Sequence, residues 1–363
     1  MRPSPVLAEI KKIFPGIKIS QAPLPPEQFR ETSIFFAPVK LSTKACKIIN
    51  TSATRLENFA RCPFAYYMNY ILGAKPRKMY EVLPTDLGGL FHSVIAEFTK
   101  TTLGGRGGIA PSREEITAIV DDLVYSMGLE DSIFFSTARN KHILNKVRRV
   151  AAASCWALSE QIKRGEYRPW QAEYEIFSNI SLDNGINLAL KGFIDRVDIF
   201  QTDESEFVKI IDYKSGSAKF SKDEALKGVQ LQLMLYLNAV IAQKKSEIEK
   251  IPISLRDLPN ILPGGVFYFP IDDPIINADD IISEKERDEE LLKCFKMSGL
   301  EVGDSKQSVS MDEFSDFGHE IDKKVKELGA RLAEGDIKAE AYTKGQKCPC
   351  NYCKFSGICG NTS

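Results

Sequence analysis

The spacing of hydrophobic positions along this chain changes from helical to alternating and back again. Small polar residues at 50–54 supply a cap, and Leu56, Phe59 and Ala60 then begin an apolar stripe, which predicts a helix over 50–59. Residues 88–98 read as a second helix whose glycines at 88 and 89 allow tight packing at its start. A glycine-rich loop is expected at 104–108, then two or three helices between 111 and 164. The pattern alternates through 171–181, and runs rich in Ile, Val and Phe at 188–200 and 207–213 read as strands. A helix is expected over 220–244, a strand over 264–270 and a solvated acidic stretch over 272–290. Phe314, Phe317, Ile321, Val325, Leu328 and Leu332 share one face of an amphipathic helix over 311–334, ended by Gly335. Helices, then a largely consecutive sheet with a helix on it, then a final helix predict an α/β core with helical insertions.

Composition narrows this picture. At 363 residues and 43% hydrophobic content the chain builds one large domain or two ordinary ones. Residues 1–50 are proline-rich and read as an extension, or a connection to a further region, with one domain over 51–363. No apolar run approaches the roughly 18 residues that span a membrane. Charged residues follow Met1 directly, so no secretory leader is expected and a reducing, cytoplasmic setting is favoured. The net charge of −1 carries no global basic signature, so any nucleic-acid surface must be local. Arg139, Lys141, Lys146, Arg148 and Arg149 form one such stretch, which a solvated helix face would explain equally well.

The cysteines divide between the two ends of the chain. Cys62 lies in R-C-P-F, and Cys350, Cys353 and Cys359 form C-x2-C-x5-C, with about 290 residues between; one centre closing so long a loop would act as a clasp. Four thiolates are the ligand set of an iron–sulfur cluster or a structural zinc, and spacing leaves both open. Cys348 offers an alternative ligand, while Cys155 reads as a small core residue in a helical run.

Two strand ends carry acids. Asp195 stands in the apolar run G-F-I-D-R-V-D, and Asp212 and Lys214 stand two residues apart on one face of I-I-D-Y-K. Adjacent carboxylates in apolar surroundings repel each other unless a cation lies between them. Hard oxygen ligands suit Mg²⁺ or Mn²⁺. An isolated D-x-K is ordinarily a surface ion pair; here Val208, Ile210 and Ile211 precede Asp212, and a second acid sits in the strand before. His92 lies on the helix before the sheet, where a lone histidine is ordinarily structural. Gln232 and Tyr236, four apart, share one helix face.

In order, R-C-P-F, G-x-x-x-H, G-x-x-D-R-V-D, D-Y-K, Q-x-x-x-Y and C-x2-C-x5-C resemble the RecB-like branch of the PD-(D/E)XK nucleases in its iron–sulfur form, and most closely the C-terminal nuclease domain of AddB-type subunits of helicase–nucleases. The resemblance covers about residues 51–361, and residues 264–276 and 296–300 contribute to it. It implies a restriction-endonuclease-like mixed sheet flanked by helices, with an iron–sulfur clasp joining the two ends. Under it, Cys62, Cys350, Cys353 and Cys359 hold a [4Fe–4S] cluster and Cys348 is a bystander. Asp195, Asp212 and His92 hold Mg²⁺ or Mn²⁺, Lys214 is catalytic, Gln232 and Tyr236 order the site and touch DNA, and Glu175 is a supporting acid.

The resemblance further implies a metal-dependent nuclease that hydrolyses single-stranded DNA in double-strand-break repair and recombination, with an AddA-type subunit as partner. Family members are far longer, and no G-x4-G-K-[ST] motif occurs in this chain, so ATP-driven unwinding is not expected of it alone. The rival expectation is a non-catalytic DNA-end-binding or scaffold module, which has no need of Asp195, Asp212 and Lys214 together.

Overall fold

The computed structural model describes residues 48–75, 82–103, 111–130, 132–216, 218–250, 260–274, 283–303, 308–343 and 348–359. Residues 1–47 of the extension expected over 1–50, the loop expected at 104–108 and part of the acidic stretch lie outside them, while residues 48–50 of that extension belong to a strand. The first described element is a strand, β1 (Ile48–Thr51), followed by α1 (Ala53–Arg61), whose Ser52 cap accepts the Arg55 N–H. Cys62 then caps α2 (Pro63–Tyr66), which continues as a π-turn at Tyr67–Ile71. Further on come α3 (Pro84–Phe98), continued by a π-turn at Thr99–Leu103, then α4 (Arg113–Glu130) and α5 (Ala138–Arg164). α1 starts at Ala53, later than the helix expected over 50–59, because residues 50 and 51 pair with a later strand as the end of β1, while α3, α4 and α5 stand where helices are expected.

Three antiparallel strands follow: β2 (Arg168–Ser181), β3 (Asn187–Gln201) and β4 (Ser205–Ser215). The helix expected over 220–244 is instead two, α6 (Lys222–Leu226) and α7 (Gln232–Glu249). Gly228 breaks it at φ +84, where a Cβ would also come within 2.7 Å of Leu328. α7 has no side-chain cap of its own. Glu57 of α1 supplies one, accepting the N–H groups of Leu231 and Gln232 at 2.8 and 2.9 Å. The chain continues through β5 (Asn260–Ile271), α8 (Glu284–Cys294), β6 (Ser298–Glu301), α9 (Met311–Ala333) and α10 (Ser356–Cys359).

The sheet is mixed, in the order β1-β3-β4-β5-β6 with β2 on the other edge of β3. One face packs on α1, α7 and α9 through Leu56, Phe59, Leu233, Leu237, Val325 and Leu328. The other packs on α3, α4, α5 and α8 through Val94, Ile95, Val120, Leu158 and Phe295. The expected mixed sheet flanked by helices is therefore present.

One detail of the pairing creates the site. β3 pairs with β2 along nearly its whole length, but its other edge meets two strands in succession. β1 takes residues 187–190 in parallel, and β4 takes residues 196–201 antiparallel. Residues 191–195 fall in the gap between them. There Gly192 lets the Tyr236 ring of α7 lie against the strand; a Cβ would stand 2.6 Å from the Tyr236 hydroxyl.

Candidate active site

The gap gathers the side chains that the sequence singles out. Asp195 sits where β3 and β4 part, just beyond the last paired residues, Arg196 and Ile211. Its Oδ2 accepts the Tyr213 N–H at 2.5 Å, in place of a strand carbonyl. Its Oδ1 lies 3.0 Å from Nδ1 of His92 on α3. Burial pulls the His92 imidazole toward the neutral form, but the Asp195 hydrogen bond and the charges of Asp195, Asp212 and Glu173 outweigh it and raise its pKa. The Tyr213 ring meets the imidazole edge-on at 5.9 Å.

Asp212 and Lys214 point together toward α7, as their two-residue spacing requires. Gln232 Nε2 donates to Asp212 Oδ1 at 2.6 Å and Gln232 Oε1 accepts from Lys214 Nζ at 3.2 Å. Lys214 Nζ is 2.6 Å from Asp212 Oδ2, so the ammonium reaches the second oxygen of this buried carboxylate. The Lys214 ammonium also stands 5.5 Å from the Tyr268 ring centre. Burial, and next the charge of Asp195, push the Asp212 carboxyl up to about 7 against the pull of Lys214. Tyr236 lies beside Gly192 and Gln232, its hydroxyl pushed up by burial and by the charges of Asp212 and Asp195.

The acid on β2 is Glu173, not the Glu175 suggested by the sequence. Glu173 stands between the paired positions Ala172↔Arg196 and Tyr174↔Ile194, which sets it opposite Asp195. Its backbone has φ 51, a left-handed conformation that side-chain-bearing residues seldom adopt and that collects at functional sites. Burial and the charge of Asp195 raise its pKa. One donor atom each from His92, Glu173 and Asp195 lie within 4.8 Å of one another, the one such group of three among the described residues. Glu175 lies two residues further out and pairs with Lys191 at 2.6 Å. The hairpin turn at 183–185 held the signal for this choice. A turn centred on Asn184 sets 173 against 195 and 175 against 193.

Not every residue of the motifs enters the site. Arg196 and Asp198 form a buried two-bonded ion pair at 2.6 and 2.5 Å. The second half of D-R-V-D is thus structural. In the basic stretch, Arg148 pairs with Asp121 and Arg149 with Asp273, so two of its charges are already matched.

The donor set fits a hard divalent cation. Carboxylates crowd a partly buried gap, and burial with the charge of Asp195 raises the Asp212 carboxyl; a cation among them relieves both conditions. At the chain's other notable group, Tyr342 donates its N–H to the Arg61 carbonyl, and Phe64 donates to that of Lys338. These bonds hold the segment leading to the late cysteines beside Cys62. Burial, and then the charges of Cys353 and Cys359, push the Cys62 thiol up. Cys350 is raised to about 11 by its contact with Cys348, with burial and with the charges of Cys348, Cys62 and Cys353 behind it. Cys62 thus lies near enough to Cys350, Cys353 and Cys359 for their charges to act on one another.

The sequence profile of the PD-(D/E)XK nuclease superfamily matches residues 50–360. Among curated proteins, the B subunit of the ATP-dependent helicase/deoxyribonuclease of Alkaliphilus metalliredigens is 32% identical over 357 residues, covering 86% of this chain and 30% of that protein. The proteins of the same name from Thermoanaerobacter sp. (strain X514) and Clostridium acetobutylicum are 32% and 31% identical, with 86% of this chain and 30% of each relative covered. The chain thus spans about 30% of the length of the curated relatives it matches.

Proposed function

The chain belongs to the PD-(D/E)XK nuclease superfamily, and from that premise we propose that it is a metal-dependent deoxyribonuclease hydrolysing phosphodiesters in single-stranded DNA. The observation that carries this reading is the gap in the β3 edge, where Asp195, Asp212 and Lys214 meet with His92, Glu173 and Gln232 around them.

Asp195, Asp212, Glu173 and His92 would hold Mg²⁺ or Mn²⁺. Such an ion supplies Lewis-acid polarisation of a phosphoryl oxygen and lowers the pKa of a water molecule. Asp195 is fixed at both oxygens, by His92 and by the Tyr213 N–H, so it presents a constant donor. Gln232 sets Asp212 and Lys214 at once through its two ends. Lys214 brings its ammonium to the floor of the gap, facing Asp212. It offsets charge growing on the phosphate and orients the attacking water. Tyr236, packed on Gly192, closes the back of the gap and keeps α7 in register with β3.

Cys62, Cys350, Cys353 and Cys359 would hold a [4Fe–4S] cluster of structural role, joining the two ends of the domain, with Cys348 outside the ligand set. Support comes from the nearness of the late cysteines to Cys62 and from the resemblance of R-C-P-F and C-x2-C-x5-C to the iron–sulfur nucleases. The relatives are named as subunits of a helicase/deoxyribonuclease. We therefore infer a helicase subunit of AddA type as partner, and a cytoplasmic role in double-strand-break repair and recombination. No helix among the described residues is long and apolar enough to cross a membrane.

The test is cleavage of single-stranded, frayed and blunt duplex DNA by anaerobically purified chain, with and without Mg²⁺ and ATP. Metal-dependent, ATP-independent cutting that favours single strands is expected. Equal rates on blunt duplex, or no cutting with any divalent ion, would contradict the reading.

A further inference from the structure

Large aromatic side chains seldom face water without a reason, and two do so on the ribbon that carries the acids. Phe177 on β2 is 62% exposed and Phe193 on β3 is 50% exposed. Register makes their placement informative. Residues two apart on a strand share a face. Moving outward from Glu173 opposite Asp195, the next pair on that face is Glu175↔Phe193 and the one after is Phe177↔Lys191. Each step is about 7 Å along the strands. The two rings thus begin one step from the metal-binding acids, on the same side of the same two strands.

The strip also carries lysines among its acids. Lys191 Nζ lies 5.1 Å from the Phe177 ring centre and 5.9 Å from that of Phe193. It is paired with Glu175 at 2.6 Å, and both side chains are exposed, so the pair is weak and exchangeable. Lys100, in the π-turn after α3, is near enough to Glu173 to act on its charge, and adds a second cation at the inner end. Exposed rings with lysines among them are the two parts of a sequence-tolerant single-strand surface: π-faces for bases and ammonium groups for phosphates. A base paired in duplex has no free face to offer.

We propose that Phe193, Lys191 and Phe177 form a stacking platform for the DNA strand, seating bases that flank the phosphate brought to the metal site proposed on Asp195 and Asp212. The proposal rests on the nuclease reading and deepens it, because it gives the preference for single strands a physical seat. Two features argue for a nucleic-acid strand as occupant: the strip continues directly from the acids, and its ammonium groups complement phosphate. Lys191 would exchange Glu175 for a backbone phosphate when the strand arrives.

The test measures binding of a labelled oligodeoxythymidylate by fluorescence anisotropy, in an Asp212→Ala background that keeps the substrate intact. Phe177→Leu and Phe193→Leu retain apolar area without a π-face, and Phe193→Trp retains stacking. The double Leu variant should bind about 5- to 100-fold more weakly, and Phe193→Trp should bind as the parent does. An oligonucleotide with abasic sites should lose the same factor on the parent and nothing more on the double Leu variant. Both positions are exposed, so the variants should melt with the parent. Leu variants that bind like the parent, or that lose as much on abasic as on intact strands, would overturn the platform; so would a loss found only in binding to a helicase subunit. Cleavage by the wild-type chain separates the two levels. Metal-dependent cutting with unaffected Leu variants removes the platform alone, whereas no cutting removes the nuclease reading itself.

Discussion

At the scale of single residues, the site is a balance of charges that one helix holds in place. Glu173 and Glu175 are two apart on one face, yet only Glu173 reaches the group with His92 and Asp195. Glu173→Gln should weaken Mn²⁺ binding, read by calorimetry, by about 10- to 100-fold, whereas Glu175→Gln should leave the affinity unchanged. The reverse result would show that the ribbon's register has been misassigned. Glu57 gives a second prediction. Burial raises its pKa while it caps α7. A carboxyl whose folded-state pKa lies above its unfolded value favours folding most when protonated; that contribution is present at low pH and is lost as pH rises through the folded value. Thermal melts of Glu57→Gln and wild type should therefore shift in the variant's favour as pH rises above the ordinary carboxylate range. A constant difference would show that the carboxyl is not titrating as pH rises.

At the scale of elements, the gap in the β3 edge depends on Gly192 and Tyr236. Adding a Cβ at 192 meets the Tyr236 ring at 2.6–2.9 Å. Gly192→Ala should cost about 1–3 kcal/mol in chemical unfolding and lower cleavage through displaced Gln232; unchanged stability and activity would show that the contact yields freely. Elements with a strong local period were legible in the sequence. The alternating strands, the amphipathic α9 and the paired placement of Asp212 and Lys214 all follow from side-chain spacing alone. Other features arise from distant partners and leave little local trace. β1 and β6 are four residues each and exist through pairing with β3 and β5. The start of α7 depends on Glu57, more than 170 positions earlier by the separation of its bonded partners. Choosing Glu173 over Glu175 needed the hairpin register, which the turn at 183–185 carried but which strand alternation by itself does not reveal.

At the scale of the whole molecule, the early and late cysteine segments meet. Backbone bonds from Tyr342 to Arg61 and from Phe64 to Lys338 bring the late cysteines to the Cys62 corner, directly after α1, whose Glu57 caps the helix carrying Gln232. The proposed clasp is thus mechanically linked to the active site through one short helix. Cys62→Ala should lose iron and acid-labile sulfide, melt at lower temperature and cut more slowly, while Cys348→Ala keeps its iron. Full iron in the Cys62 variant, or its loss at Cys348, would reassign the ligands, and stoichiometric zinc in place of iron would replace the cluster.

The central claim is that the gap between β1 and β4 is a hydrolytic centre, and the most direct measurement compares wild type with Asp212→Ala and Lys214→Ala. Each should be assayed on single-stranded DNA with Mg²⁺, with melting temperature and DNA binding recorded alongside. Both substitutions should abolish cleavage with the fold intact. Asp212→Ala should still bind DNA, because removing a carboxylate lessens its repulsion toward phosphate. Folded Asp212→Ala or Lys214→Ala protein that cuts at the wild-type rate would contradict the account.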